Sequence, residues 1–319
     1  MPTDDRPHPT RIAIVGTGNV GATYAYALLL NRLSSEIVLI DTNRARAEGE
    51  AMDLNHAIPF AHPTRIWAGD YSDCAGAAVT VVAAGVAQRP GETRLDMILR
   101  NGEIWKQIIP RIVEHNPEGI LLIATNPVDA LTYAALKLSG LPTERVIGSG
   151  TVLDTARFRY LLSQHFQVDS QSVHAFIIGE HGDSEVPVWS LANIAGMKLD
   201  DFCRAQGLEL TAADRQTIYE QTRDAAYQII ERKGATYYAV AAGLIRITAA
   251  LLRDQNTVFS VSTLIEDYYG IQDVCLSLPA ILNRWGIRSV LRLELSADEQ
   301  EKLQKSAAIL QSTLRKLNL

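Results

Sequence analysis

A four-residue apolar run, Ile12-Ala-Ile-Val15, leads directly into Gly16, Gly18 and Gly21, and a small, apolar stretch then continues from Ala22 to Leu30. No other feature limits the fold so tightly. The first run has the length of a buried strand, and the second has the length and composition of a helix. In such a turn the first glycine permits the tight bend. The second lets backbone approach a pyrophosphate, and the third lets helix pack on strand. The helix N-terminus offers unpaired N–H groups and a partial positive charge to phosphate. A second apolar run, Ile37-Val-Leu-Ile40, ends in Asp41, twenty residues after Gly21. An acid there accepts hydrogen bonds from ribose hydroxyls and repels a 2′-phosphate. The expected unit is strand, turn, helix, strand and acid, binding NAD in preference to NADP.

Alternation of this kind continues to about residue 150. Residues 65–68, 78–83, 119–124 and 146–148 read as strands. A helix between them carries Leu95, Ile98, Leu99, Trp105, Ile108, Ile109 and Ile112 on one face. Pro110 lies inside it and is expected to kink it, because a backbone donor is missing. Asp129 begins another helix. Strand–helix alternation predicts a parallel sheet with helices on both faces. Beyond residue 150 the pattern is mixed. Helices are expected over 153–166, 212–231, 236–252 and 297–317, the last with Ser296 and Glu299 as a capping box. Strands are expected over 172–178, 257–262 and 274–278. The predicted architecture is α/β: a Rossmann doubly wound parallel sheet over 11–150, then a mixed α+β substrate domain over 151–319. Residues 1–10, polar and with three prolines, read as a flexible tail.

The net charge of −6 comes without a basic cluster, so neither nucleic acid nor an anionic membrane is an expected partner. The longest uncharged apolar stretch, near 77–87, is too short to span a bilayer. Cys74, Cys203 and Cys275 are odd in number and scattered, which fits reduced thiols and a cytoplasmic location. No H-E-x-x-H spacing occurs, and no metal is expected.

Three places carry candidate chemistry. Gly179-Glu-His-Gly-Asp183 follows an apolar run, and its glycines leave His181 accessible. Histidine titrates near neutrality, as a proton donor and acceptor for an alcohol–ketone pair must. Asp154 and Arg157 stand three apart on a predicted helix and share a face. Asp154 can fix the tautomer of His181 and stabilise its imidazolium. Arg157 can grip a carboxylate with two parallel N–H donors. The polar segment 85–94, with two glycines and a proline, suits a lid that excludes water. From it Arg94 could polarise a ketone oxygen.

Together with the fingerprint, five segments resemble the lactate/malate dehydrogenase family: residues 85–94, Thr125-Asn-Pro-Val-Asp129, Leu153-Asp-Thr-Ala-Arg-Phe-Arg159, Gly179–Asp183 and Lys233-Gly-Ala-Thr-Tyr-Tyr238. The likeness runs in order from about residue 11 to the C-terminus. It implies an NAD-dependent interconversion of pyruvate and (S)-lactate. His181 is implied as acid–base, Asp154 as its partner, Arg157 as carboxylate clamp and Arg94 as lid arginine. Asn126 and Thr236 are implied in the substrate pocket. Gly16, Gly18, Val20, Gly21, Asp41, Arg46, Tyr71, Gly85, Val86, Asn126 and Ser149 are implied around NAD, and the Asn126–Pro127 bond is implied to be cis.

The family divides at the lid position of Gln88, where malate enzymes carry arginine. Gln88 cannot neutralise a second carboxylate, and Glu92 adds negative charge to the same loop. Both favour pyruvate over oxaloacetate. Arg89, one place along, keeps a malate or other 2-hydroxyacid dehydrogenase as the alternative. A non-catalytic NAD-binding protein is the alternative of another class. Finally, the resemblance implies that Arg159 and His174, with their copies across a two-fold interface, bind fructose 1,6-bisphosphate as an allosteric effector in a homotetramer.

Overall fold

The computed structural model describes residues 10–86 and 94–316, with only the backbone of 94–98. Its first half comprises β1 (Arg11–Val15), α1 (Asn19–Asn31), β2 (Glu36–Ile40), α2 (Arg44–Ala57), β3 (Arg65–Ala68), β4 (Ala77–Val82), α3 (Arg94–His115), β5 (Ile120–Ile123), α4 (Val128–Ser139) and β6 (Val146–Gly148). These six strands lie parallel in the order β3-β2-β1-β4-β5-β6. The winding direction reverses between β1 and β4, and it is there that the carboxyl ends of a doubly wound sheet open a crevice. Ile12, Ile14, Ile37, Leu39, Val79 and Val81 are fully buried, which is why these strands read as continuous apolar runs. Helix α1 starts at Asn19, inside the fingerprint rather than after it, and α3 continues through Pro110.

The second half adds α5 (Val152–Phe166), β7 (Val173–His174), β8 (Ile177–Ile178), β9 (Val186–Pro187), β10 (Asn193–Ile194), β11 (Met197–Lys198), α6 (Leu199–Gln206), α7 (Ala212–Lys233), α8 (Tyr238–Leu252), β12 (Thr257–Ile265), β13 (Val274–Asn283), β14 (Gly286–Val290) and α9 (Ala297–Leu314). Strands β12, β13 and β14 extend the first sheet antiparallel beyond β6, making nine strands among the described residues. Strands β12 and β13 are longer than the sequence indicated, and α9 carries the expected reciprocal cap between Ser296 and Glu299.

The single strand expected over 172–178 is instead two short ones in different sheets: β7 pairs with β10, and β8 with β9. Between them the backbone is taken up by other groups. The Ala175 carbonyl accepts from Arg159 Nε at 2.9 Å, the Phe176 carbonyl accepts from the Val188 N–H at 2.9 Å, and the Ile177 N–H donates to Thr155 Oγ1 at 3.0 Å. Two of these three partners stand on α5, so the helix breaks the ladder and seats itself against the segment leading to His181.

Candidate active site

At the crevice Gly16 adopts φ +100°, and a Cβ on it would stand 2.5 Å from Ala84 N. A Cβ on Gly21 would stand 1.9 Å from the Gly16 carbonyl oxygen. Gly18 differs: nothing lies within 4 Å of a Cβ there. Gly16 and Gly21 therefore serve packing, and Gly18 opens outward, where a pyrophosphate must come close to backbone. Gly18 is also the N-cap of α1, and no side chain caps that end. Asp41 Oδ2 accepts from the Thr17 N–H and hydroxyl at 2.8 and 3.0 Å, and Oδ1 accepts from the Asn43 N–H at 2.9 Å. Burial opposes its charge, but these donors, with Arg46, hold the carboxyl below the usual carboxylate range.

A cavity of about 680 Å³ occupies the crevice. Gly16, Gly18, Asp41, Arg46, Tyr71, Gly85 and Val86 line it. So do Arg44, Asp70, Gln107 and Arg111, which the sequence reading did not single out. Arg111 stacks 4.1 Å over the Tyr71 ring. Gln107 and Arg111 are spaced i,i+4 on α3, so they share a face there, which is the one signal that could have found them. Val20, Gly21, Asn126 and Ser149 are not part of this lining. Gly21 is a packing position, Val20 of α1 packs against the core, and the Ser149 N–H donates to the Ile123 carbonyl at 2.8 Å. Asn126 is exposed, and its bond to Pro127 is cis. A backbone cradle that a Cβ would fill, beside an ionised acid, fits a dinucleotide.

The second cluster gathers on α5 and the loop after β8. Thr151 Oγ1, just before α5, donates to the Ile177 carbonyl at 2.6 Å. Gly179, at φ +87°, exchanges backbone hydrogen bonds with Ser277 of β13 at 2.8 and 2.9 Å. With both supports fixed, His181 Nδ1 lies 2.5 Å from Asp154 Oδ2, and Arg157 Nη1 donates to Asp154 Oδ1 at 2.9 Å. Asp154 is 2% exposed. Burial raises its proton affinity, but the His181 and Arg157 charges prevail and hold it below the usual range. Burial alone would lower the affinity of His181; the Asp154 carboxylate outweighs it and pushes the imidazole up to about 9. Arg157 Nη2 is buried and has no hydrogen-bond partner among the described residues. A guanidinium N–H left over beside a proton donor is a receptor for a carboxylate oxygen.

Two contacts from α7 pin the loop: the Tyr219 hydroxyl donates to the Glu185 carbonyl at 3.0 Å, and the Tyr227 hydroxyl donates to Asp183 Oδ1 at 2.7 Å. Glu185 is a buried acid missed in the sequence. Burial first, and the Asp154 charge second, push its carboxyl up to about 9. Asp129, expected to begin a helix and the last residue of the Thr125–Asp129 segment, accepts the His181 N–H at 2.7 Å. Thr236 lies half-buried in the turn joining α7 to α8, both of which pack against α5. Gln88, Arg89 and Glu92 lie outside the described residues, as does the side chain of Arg94. Arg159 is half-buried on α5, its Nε on the Ala175 carbonyl and its guanidinium 5.3 Å from the Phe176 ring centre. His174, exposed, is the residue before Ala175 in the chain. Among the described residues no cluster of three His, Cys, Asp or Glu side chains could hold a metal ion, and no helix is long and apolar enough to cross a membrane.

Comparison with known proteins places this geometry. A family model described as the NAD binding domain of lactate/malate dehydrogenase matches residues 10–148, and one described as the α/β C-terminal domain matches residues 151–318. An L-lactate dehydrogenase of Priestia megaterium is 53% identical over 313 residues, 98% of each chain. One of Acetivibrio thermocellus is 52% identical over 97% of this chain and 98% of its own. A solved lactate dehydrogenase from a Medee basin deep-sea metagenome library superposes with a TM-score of 0.94 at 45% identity, covering 98% of this chain and 99% of that one. The minor L-lactate dehydrogenase of Enterococcus mundtii, in its ligands-bound form, gives the same TM-score and coverage at 38% identity. With crevice, histidine–aspartate pair and arginine in the corresponding order, the chain belongs to the lactate/malate dehydrogenase family and is an NAD-dependent oxidoreductase.

Proposed function

We propose that the chain is an L-lactate dehydrogenase, reducing pyruvate to (S)-lactate and running the reverse. Bound NADH supplies the hydride that reduces the ketone carbon. Gly16, Gly18, Asp41, Arg46, Tyr71, Gly85 and Val86 would hold the dinucleotide, together with Asn126 and Ser149. Arg157 takes the substrate carboxylate through two N–H donors, and Asn126 and Thr236 complete the pocket. Arg94, carried in by the lid, polarises the ketone. Protonated His181 gives its Nε2 proton to the ketone oxygen, and Asp154 stabilises the imidazolium until that moment. In the reverse direction neutral His181 takes the hydroxyl proton. The observation that carries the reading is the buried Nη2 of Arg157, which has no hydrogen-bond partner among the described residues, while Nη1 of the same guanidinium holds the aspartate that holds His181. A protein that merely bound NAD would have no use for that arrangement.

Pyruvate is favoured over oxaloacetate because Gln88 offers no charge to a second carboxylate and Glu92 repels one. The relatives named as L-lactate dehydrogenases at 53% and 52% identity support the same choice. The Arg159–His174 pair is read as half of a fructose 1,6-bisphosphate site, completed across a two-fold axis of a homotetramer. The free, buried Cys74, Cys203 and Cys275 are in keeping with a cytoplasmic enzyme. The halves 11–150 and 151–319 serve as nucleotide and substrate domains.

One assay tests the whole reading: NADH oxidation with pyruvate, with oxaloacetate and with neither, each with and without fructose 1,6-bisphosphate. We expect kcat/KM for pyruvate to exceed that for oxaloacetate by about a hundredfold. The bisphosphate should lower the pyruvate KM in the parent and not in Arg159→Gln. Preference for oxaloacetate would move the reading to the malate type through Arg89. No turnover with either acid would leave a binding protein, and superimposable curves with and without the bisphosphate would remove the effector site.

A further inference from the structure

Asp129 has a place in the site that no step above uses. It is 2% exposed, in the first turn of α4. Its Oδ2 accepts the backbone N–H of His181 at 2.7 Å, from 52 positions away in the chain. Its Oδ1 is buried and makes no hydrogen bond among the described residues. The Ser262 hydroxyl of β12 favours the charged form of Asp129, yet Ser262 Oγ makes no hydrogen bond among the described residues. Holding one N–H asks only for a neutral oxygen, such as a carboxamide supplies. A carboxylate with one oxygen to spare is a far costlier group to bury, which points to a use for its charge. Its place near the positive end of α4 offsets part of that cost.

We propose that Asp129 is a positioning residue for the acid–base histidine, anchoring the His181 backbone and setting a second negative charge beside an imidazolium that Asp154 already pairs. The inference rests on reading His181 as the acid–base group. The ionisable groups bearing on the pair come from several elements: Asp154 and Arg157 from α5, Glu180 and Glu185 from the histidine's own loop, and Cys275 from β13. Among the carboxyls acting on His181, Asp129 ranks after Asp154 and ahead of Glu185. Burial pushes Asp129 up to about 6, still below the alkaline range in which His181 titrates.

Two substitutions separate anchor from charge. Asp129→Asn keeps an oxygen for the His181 N–H and removes the charge; Asp129→Ala removes both. Pyruvate reduction is followed across the pH range for the parent, both variants and His181→Asn, with NADH binding by fluorescence as the check on folding. In Asp129→Asn the alkaline midpoint of kcat/KM should fall by about one unit, a tenfold change in proton affinity. A residue that merely braced the loop would leave that midpoint unmoved. In Asp129→Ala kcat should also fall by about tenfold or more, with NADH affinity unchanged. An Asp129→Asn midpoint equal to the parent's overturns the proposal. Should Asp129→Ala fail to bind NADH, the near-isosteric Asp129→Asn alone decides. Undiminished turnover by His181→Asn would instead defeat the acid–base reading, which is a separate failure.

Discussion

The Asp154 carboxylate holds the His181 ring, and the imidazole therefore keeps its proton well into the alkaline range. Burial by itself would release it early; the Asp154 charge reverses that and raises the folded value to about 9. Pyruvate reduction uses the protonated ring, so its kcat/KM should hold to about pH 9 and fall as pH rises through it. Lactate oxidation uses the neutral ring and should rise through the same midpoint. With Asp154→Asn the largest charge opposing burial is gone, and both midpoints should drop from about 9 toward the free-histidine value of about 6.5. Stability follows the same sign. The contribution of the charged pair is fully present below about pH 6.5 and is lost as pH rises through about 9, so the parent but not Asp154→Asn should lose stability across that window. Rate profiles in both directions, with denaturant midpoints at each pH, check it; parallel profiles for the two proteins would refute it. His181, Asp154 and Arg157 could be found in the sequence because each sits in a short stretch whose residue types announce chemistry. Asp129 and Glu185 could not. One acts on a backbone N–H far along the chain, and the other matters only through burial, which no local spacing encodes.

Elements follow the same division. Strands β1, β2, β4 and β5 were legible because a strand covered on both faces is apolar throughout. The two-residue strands β7 to β11 are too short to show a period. Helix α2 escaped notice because its buried stripe is only Ala47, Ala51 and Leu54 within a charged sequence. The strand–turn–helix unit at the N-terminus makes a sharper statement, since its glycines do different work. Gly18 has an ordinary φ of −67°, and a Cβ there meets nothing. Gly18→Ala should therefore unfold at the parent's temperature yet bind NADH at least about tenfold more weakly, because the methyl occupies the phosphate approach. Gly21→Ala drives a methyl to 1.9 Å from the Gly16 carbonyl, so α1 must shift from β1. That should cost about 1–3 kcal/mol of stability, as overpacking does, and weaken NADH binding as a consequence. Calorimetry with NADH titration separates them. A Gly18→Ala protein with parental affinity, or a Gly21→Ala protein with parental stability, would contradict the assignment of roles.

Across the whole molecule, the boundary near residue 150 marks a change of job more than a break in structure. The sheet passes over it, Gly148 of β6 pairing with Ser262 of β12. One core takes Ile12, Leu28 and Leu39 from the first half together with Leu244, Ile247, Val261 and Leu282 from the second. Inside it the Tyr24 hydroxyl of α1 meets Thr248 Oγ1 of α8 at 2.6 Å, both side chains buried. Neither half can lose its fold without exposing apolar surface of the other, whereas chains of this length commonly unfold in parts. The expectation is a single calorimetric transition whose measured and van't Hoff enthalpies agree. NADH touches mainly the first half, yet at about a hundred times its dissociation constant it should stabilise the entire chain by about 2.7 kcal/mol. Trp105 is buried on α3 in the first half, and Trp189 lies edge-on to Phe158 of α5 in the second. Of the four tryptophans, variants keeping only Trp105 or only Trp189 should report the same midpoint, and NADH should raise both midpoints equally. If NADH lifted the Trp105 midpoint and left that of Trp189 in place, the halves would be independent, and the shared core would not couple nucleotide binding to the seating of His181.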